Sequence, residues 1–150
     1  MNAYLRFALM MTVSFVVMYA VMFFNVDVFD HVMLSPTRTY MTLLMIMPMV
    51  LIMMGFMSGM YKNKRLNYAI MGAAVVVGVG CWFGLRQQVF VEDVQWMKAM
   101  IPHHSSAILT SHRATIKDPE VKKLSEEIIA AQEREIAQMK AAIARLEGGQ

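Results

Sequence analysis

Three long runs without a charged residue limit what the first 85 residues of this chain can fold into. The runs are Phe7–Phe24, Thr39–Tyr61 and Leu66–Leu85, with 18, 23 and 20 residues. A helix of about 20 apolar residues crosses the hydrocarbon core of a bilayer, and backbone groups there must be satisfied within the segment. We therefore expect three transmembrane helices, at about residues 5–24, 39–61 and 66–85, in a membrane domain of residues 1–86.

The charges between these runs predict the orientation of the chain. The second connecting loop, Lys62–Arg65, holds three positive side chains and no acid, whereas the first loop, Asn25–Arg38, holds Asp27 and Asp30. By the positive-inside rule the second loop and the amino terminus are cytoplasmic. The first loop and an external domain of residues 87–150 then lie on the other side of the membrane.

The charge balance and the cysteine content exclude several classes of protein. The net charge of +3 arises within residues 1–85, which hold five basic and two acidic side chains, because residues 86–150 hold nine of each. The basic excess lies in short loops between apolar runs and does not indicate a nucleic-acid partner. With a single cysteine, Cys81, neither an intrachain disulfide nor a thiolate metal cluster can form.

The external domain has the pattern of two helices. Asp118-Pro119-Glu120 is a typical helix start, with Asp at the N-cap and Pro in the first turn, and Gly148-Gly149 is a stop. Upstream, Glu92–Ile116 is also mainly helical and is interrupted at Pro102. A short link near Lys117 makes the pair an antiparallel helical hairpin. The inner stripe of its second helix consists of Ser125, Ile129, Gln132, Ile136, Met139, Ile143 and Leu146.

A lone hairpin leaves part of each apolar stripe uncovered. The usual solution for such helix pairs is a bundle of four, and symmetric dimers are the commonest oligomers. We therefore expect a homodimer or larger homo-oligomer in which tail hairpins pack together, with Ile129, Ile136 and Ile143 at or near the seam.

Potential metal ligands share one face of the first hairpin helix. At about 100° per residue, Met97, Met100 and His104 fall within about 60° of one another, and His103 points about a third of a turn away. A proline inside a helix costs about 3 kcal/mol, so Pro102 beside a histidine pair is a hint of function.

The second hairpin helix adds further polar and thioether groups at the same level. With the link centred near residue 117, Glu135 lies level with Ala99, and Met139 lies level with Gln95. Met139 then joins the first helix's ligands, while Gln132 and Glu135 act as further ligands or support them. The alternative is that the methionines only fill the core, as flexible apolar side chains commonly do.

The type of these side chains predicts a soft metal ion. Thioethers and imidazoles suit Cu(I) or Ag(I) far better than magnesium or calcium. No carboxylate-rich core indicates a di-iron centre, and no acid is placed to orient a histidine base beside a serine. We therefore expect a metal-binding protein that is not an enzyme.

Methionine is also abundant in the predicted membrane domain, with 14 of the 18 in the first 60 residues. In the second apolar run Met41, Met45, Met49, Met53 and Met57 recur every four residues, a spacing that wraps around a helix. The ladder indicates either flexible apolar packing or a route for a soft metal through the bilayer.

Three blocks of the external domain resemble a known family. The sequences of Met100–Ile108, Asp118–Val121 and Ile128–Lys140 are similar to the bacterial domain-of-unknown-function family 305, whose better known relatives are CopM-like periplasmic copper-binding proteins. The resemblance spans about Glu92–Leu146. The segment His31–Met41 also resembles the membrane-anchored branch of the family.

The resemblance implies a ferritin-like helical fold in a bacterial inner-membrane protein whose external domain is periplasmic. It also implies copper homeostasis or tolerance, with copper-handling proteins as partners. The ligands carried over by motif are Met97, Met100, His103, His104 and Met139. The family often has Met where this chain has Thr110, and His112, two residues further on, is an alternative donor. Other hypotheses are a non-metal membrane module whose hairpin docks a partner, and a copper-dependent redox enzyme.

Overall fold

The computed structural model describes residues 2–148, which form five α-helices and no strand. Two short 3₁₀ turns, Phe29–His31 and Ser58–Met60, lie in the connections between helices. The expected all-α fold is therefore confirmed for the described residues. The helices are α1 Ala3–Val21, α2 Pro36–Phe56, α3 Lys64–Gln87, α4 Asp93–Arg113 and α5 Pro119–Gly148.

The first three helices are each long and apolar enough to cross a membrane. Their bounds differ from the apolar runs because local chemistry sets helix ends. Pro36 occupies the first position of α2, where its missing N–H costs nothing. The side chain of Asn63 accepts a hydrogen bond from the backbone N–H of Leu66 at 3.1 Å and so caps α3. Lys64 is consequently the first residue of α3 rather than part of the preceding loop.

Residues 2–21 and 37–89 form one compact unit, built by α1, α2 and α3. Its core contains Phe7 and Met11 of α1 together with Ile46, Val50 and Met54 of α2. Six further methionines pack partly buried against that core, namely Met18, Met47, Met49, Met53, Met57 and Met71. The methionines that recur every four residues therefore lie on different faces, as their angular drift predicts. Met41 and Met45 are exposed at the helix surface, whereas the later three pack against the core.

Small residues of α3 allow α2 to approach closely. A side chain at Gly84 would meet the ring of Tyr40 at 3.2 Å, and one at Gly78 would meet Met47 at 3.4 Å. The hydroxyl of Tyr40 also donates to the backbone carbonyl of Val89 at 2.8 Å. Small residues serve helix contacts in this way when polar groups are scarce, and here these two glycines are used within one chain.

The second compact unit contains the α4–α5 hairpin, and it also contains residues 22–36. The sequence predicts those residues to lie in the membrane domain, and the structure groups them with the hairpin instead. We call residues 22–36 the loop segment. Its grouping with the hairpin is the main difference between the expected and the observed organisation.

The two hairpin helices begin and continue as local chemistry dictates. Oδ1 of Asp118 accepts hydrogen bonds from the backbone N–H groups of Glu120 and Val121, at 2.9 and 3.0 Å, which confirms the expected N-cap. The expected interruption at Pro102 is wrong, because α4 continues through it to Arg113. The Pro102 ring is fully buried, and this packing offsets the hydrogen bond that proline cannot make.

The hairpin buries its own apolar stripe. The core of this unit comprises Met97, Ile101 and Ile108 of α4 with Ile136, Met139 and Ile143 of α5. Ile136 and Ile143 are thus already covered within one chain, whereas Ile129 is only partly buried. The expected seam between two copies stays a prediction. Whether hairpins form a four-helix bundle stays a prediction.

Candidate functional site

The face of α4 that packs on α5 carries the expected ligands. Met97 and His104 are both buried, and Met100 is half-buried one turn before His104. Residues four apart on a helix are neighbours, so Met100 and His104 adjoin each other. The structure therefore brings these three side chains to one face, as their spacing predicts.

Both ring nitrogens of His104 have hydrogen-bond partners. Nδ1 lies 3.0 Å from the backbone carbonyl of Met100, and Nε2 lies 2.6 Å from Oε2 of Glu135. A carbonyl oxygen can only accept, so Nδ1 donates to it, and the contact of Nε2 with an ionised carboxylate is a hydrogen bond only when Nε2 carries the second ring proton. A second proton on Nε2 would make the contact with Glu135 an ion pair.

The level of Glu135 along the hairpin differs from the expected one. Glu135 contacts His104, which lies five residues further along α4 than the expected level of Ala99. Helix side chains lean toward the amino terminus of their own helix. In an antiparallel pair the side chains of the two helices therefore lean in opposite directions. Each side-chain contact then joins residues with higher sequence numbers than the residues whose Cα atoms lie at the same level. The ion pair between Lys98 and Glu147, at 2.5 Å, follows the same rule.

Two thioethers from different helices lie in the buried core of this unit. Met97 of α4 and Met139 of α5 belong to the same buried cluster, and Met100 packs against it. A third chain segment adds Met33, which also packs partly buried against the cluster. Met33 was missed because it is the one methionine of a polar loop, and no local pattern indicates where such a loop packs.

Other expected ligands lie apart from this cluster. His103 is exposed, and its ring centre lies 6.2 Å from that of His104 at an interplanar angle of 70°. His112 is exposed in the last turn of α4, eight residues and so about 12 Å along the helix from His104. Gln132 is half-buried on α5. Thr110, where the family often has Met, donates its hydroxyl to the backbone carbonyl of Ser106 at 2.9 Å.

Ser105, directly after His104, holds the loop segment. Its fully buried hydroxyl oxygen accepts the backbone N–H of Asp27 at 2.7 Å and lies 2.8 Å from Nδ1 of His31. While that oxygen accepts from Asp27, the Ser105 hydroxyl proton can be donated to Nδ1 of a neutral His31. The next residue, Ser106, accepts a hydrogen bond from the side-chain amide of Asn25 at 2.9 Å.

The loop segment also reaches α5 through an ion pair. The ammonium group of Lys140 donates to the Asp30 carboxylate, and its hydrogen bond and charge lower the pKa of Asp30. Burial lowers the pKa of His31, and the nearby positive charge of Lys140 lowers it further. Both shifts favour the charge states that the observed contacts require: an ionised Asp30 and a neutral His31.

Within residues 2–148, no three side chains of the types His, Cys, Asp and Glu form a group that could hold a metal ion. The remaining candidate donors are thioethers in or against one buried cluster, with one imidazole on the same face of α4 as Met97 and Met100. Soft donors of this kind fit a soft monovalent ion and do not fit calcium, magnesium or a di-iron centre.

A comparison with known protein families gives a match over this hairpin. Residues 84–147 match the model of a family described as Domain of unknown function (DUF305), which supports the family that the sequence motifs indicate. The matched residues include all of α4 and nearly all of α5.

A curated relative covers more of the chain. The uncharacterized protein L153 of Acanthamoeba polyphaga mimivirus is 35% identical in an alignment of 98 residues that covers 61% of this chain and 64% of the relative. The aligned part therefore covers less than two thirds of that protein. No solved structure matches this chain.

Proposed function

We propose that this protein binds Cu(I) or Ag(I) as a cargo ion in its second unit, through thioethers and His104. The observation that carries the proposal is the position of Met97 and Met139. They come from different helices, yet both thioethers lie in one buried cluster with Met100 beside it.

The setting of His104 supports a role as the nitrogen ligand. Metal-binding histidines usually donate their second ring N–H to a carbonyl or a carboxylate, which fixes the tautomer. Here Nδ1 is held by the Met100 carbonyl, and Nε2 is the nitrogen left to bind an ion. Nε2 must then part from Glu135, whose side chain is 51% exposed and can turn into solvent.

The proposed role is copper homeostasis or tolerance at a bacterial inner membrane. Three helices long and apolar enough to span a membrane support the anchoring, and the positive loop Lys62–Arg65 supports a cytoplasmic amino terminus. The hairpin and the loop segment would then face the periplasm, where the cargo ion is exchanged with other copper-handling proteins.

Ion binding by the full-length protein in detergent tests this proposal. The protein is equilibrated with Ag(I), with Cu(I) under reductant, or with Zn(II), and the bound metal is measured by elemental analysis after gel filtration. We expect Ag(I) and Cu(I) to be retained in preference to Zn(II). Replacing both Met97 and Met139 by Leu should lower Ag(I) affinity by about 10- to 100-fold or more, the loss typical of weakened metal sites.

Met60→Leu is the matched control for that double variant, because Met60 is exposed and belongs to the other unit. The control should bind as the parent does. Equal Ag(I) affinity in the double variant, or a preference for Zn(II), would overturn the proposal.

A second candidate function rests on an exposed apolar surface of α5. Val121, Leu124 and Ile128 are all exposed near the link of the hairpin. Such a surface is suited to docking a protein partner without any metal. If this function is the correct one, replacing these three residues by Gln abolishes partner binding and the Met97 and Met139 variant leaves it intact.

A further inference from the structure

We infer that Met33 of the loop segment is a ligand of the same soft-metal site, which three separate parts of the chain therefore build. The inference rests on the proposed function, because it names a further donor for that ion. Nothing in the sequence motifs or in the matched family region assigns a role to this residue, which lies outside residues 84–147.

The first observation is which apolar side chain of the loop segment is packed. Met33 lies against the cluster that contains Met97 and Met139. Two apolar side chains close to it in the chain are exposed, Phe29 at 88% and Leu34 at 69%, while Phe23 of the same segment is buried. Hydrophobic burial alone would favour covering Phe29 and Leu34 as well. Of the two methionines in the segment, Met22 and Met33, it is Met33 that packs against the cluster holding the other two thioethers.

The second observation is that polar contacts fix the loop segment to both helices. Ser105 of α4 binds the Asp27 backbone and His31, and Lys140 of α5 pairs with Asp30. His31 is only two residues before Met33. A thioether held in place by contacts to both helices is preorganised, so less conformational entropy is lost when it binds an ion.

The chemistry of the resulting donor set sharpens the selectivity. Thioethers are soft, uncharged donors that suit Cu(I) and Ag(I) and bind hard cations poorly. With Met33 the site gains a donor beyond Met97, Met100 and Met139, so an ion could be held mainly by sulfur. Ag(I) is the suitable probe, because it has the soft character of Cu(I) and needs no reductant.

The experiment uses the full chain in detergent micelles, with ¹³C-labelled methionine methyl groups observed by NMR during an Ag(I) titration. Single Met→Leu variants assign the methyl signals of Met33, Met97 and Met139. We expect the three signals to shift together as Ag(I) is added. We also expect Met33→Leu to lower Ag(I) affinity by about 10- to 100-fold.

A composition-matched variant separates ligation from the mere number of methionines. The exchange Met33→Leu with Leu34→Met keeps the number of thioethers in the loop segment unchanged but moves one of them to the exposed neighbour. This variant should bind Ag(I) as weakly as Met33→Leu alone. Parent-like affinity in both variants, with an unshifted Met33 signal while the signals of Met97 and Met139 move, would overturn the inference and leave the proposed function standing. No shift at any of the three positions would overturn both.

Discussion

The hydroxyl oxygen of Ser105 lies 2.8 Å from Nδ1 of His31, a residue 74 positions earlier in the chain. The same oxygen accepts the backbone N–H of Asp27. One buried hydroxyl therefore contacts two groups of the loop segment, and it belongs to the residue directly after His104.

Ser105→Ala should release the loop segment from the hairpin. The variant leaves the Asp27 N–H and the His31 ring without their partner, and an unsatisfied buried group costs about 1–3 kcal/mol. Hydrogen exchange of residues 22–36 in detergent should accelerate, while exchange in α5 stays slow. Ser111→Ala, on the same helix, is the control, and unchanged protection of residues 22–36 in Ser105→Ala would show that this hydroxyl does not hold the segment.

Docking of the loop segment should weaken in mild acid. The pKa of His31 is lowered from its ordinary 6.5 when the segment is docked, so docking favours the neutral ring. Its contribution is therefore fully present above about pH 6.5 and is lost as the pH falls through the lowered value. The Asp30 pair does not oppose this change, because the pKa of Asp30 is lowered from 3.8 and its contribution is lost only at lower pH.

Limited proteolysis of residues 22–36 at about pH 7.5 and pH 5 would detect this weakening, in the range where histidine titrates. The variant His31→Gln keeps a polar side chain that does not titrate, so its cleavage should depend less on pH. The other three histidines are unchanged in that variant. Equal pH dependence in the parent and His31→Gln would assign the effect to another group.

Glu135→Gln should raise the affinity for Ag(I) at the proposed site. In the parent, Nε2 of His104 lies 2.6 Å from the carboxylate and must part from it to bind an ion. The cost in stability should stay below about 1 kcal/mol, since the carboxylate is half exposed and surface pairs contribute little. Isothermal titration with Ag(I) measures the change, and a weaker affinity would mean that Glu135 is itself a ligand or orients the ring.

Asp118→Ala should destabilise α5 by about 1 kcal/mol, the usual cost of losing an N-cap. The variant removes the acceptor of the Glu120 and Val121 N–H groups. Thermal unfolding followed by circular dichroism would show the loss. Lys117→Ala changes the neighbouring link residue without touching the cap, and a similar loss in that control would argue against capping as the cause.

The orientation of the chain can be tested with single cysteines in a Cys81→Ser background. Ala114→Cys lies in the hairpin link, and Gly59→Cys lies in the turn after α2, where a side chain meets nothing within 4 Å. A membrane-impermeant thiol reagent applied to intact cells should label the first and not the second. Labelling only at Gly59→Cys would place the hairpin in the cytoplasm.

Structural features that depend only on residues close in sequence could be predicted without a structure. The lengths of the uncharged runs predict α1, α2 and α3, and Asp118 with Pro119 predicts the start of α5. Both signals are local, because a bilayer span needs only length and apolarity, and a cap needs only the next turn. The shared face of Met97, Met100 and His104 follows in the same way from helix periodicity.

Structural features that depend on contacts between residues distant in sequence could not be predicted. Ser105 is simply a small polar residue in the sequence, and its hydroxyl contacts His31, which lies 74 positions earlier in the chain. Met33 has no periodic neighbour that indicates its packing. The contact of Glu135 with His104 depends on the direction in which side chains lean, which Cα levels do not represent.

The loop segment belongs to a different unit from the helices on either side of it, and this affects the order in which the chain folds during its synthesis. The chain passes between its two units three times. Residues 22–36 come early in the sequence, so they leave the ribosome long before Ser105 and Lys140, which hold them. Until Ser105 and Lys140 have been synthesised, only water is a hydrogen-bond partner for the Asp27 N–H, the Asp30 carboxylate and the His31 ring. Docking of this loop is thus a late folding event set by the order of translation, and a nascent chain stalled before α5 would display Met33 uncovered.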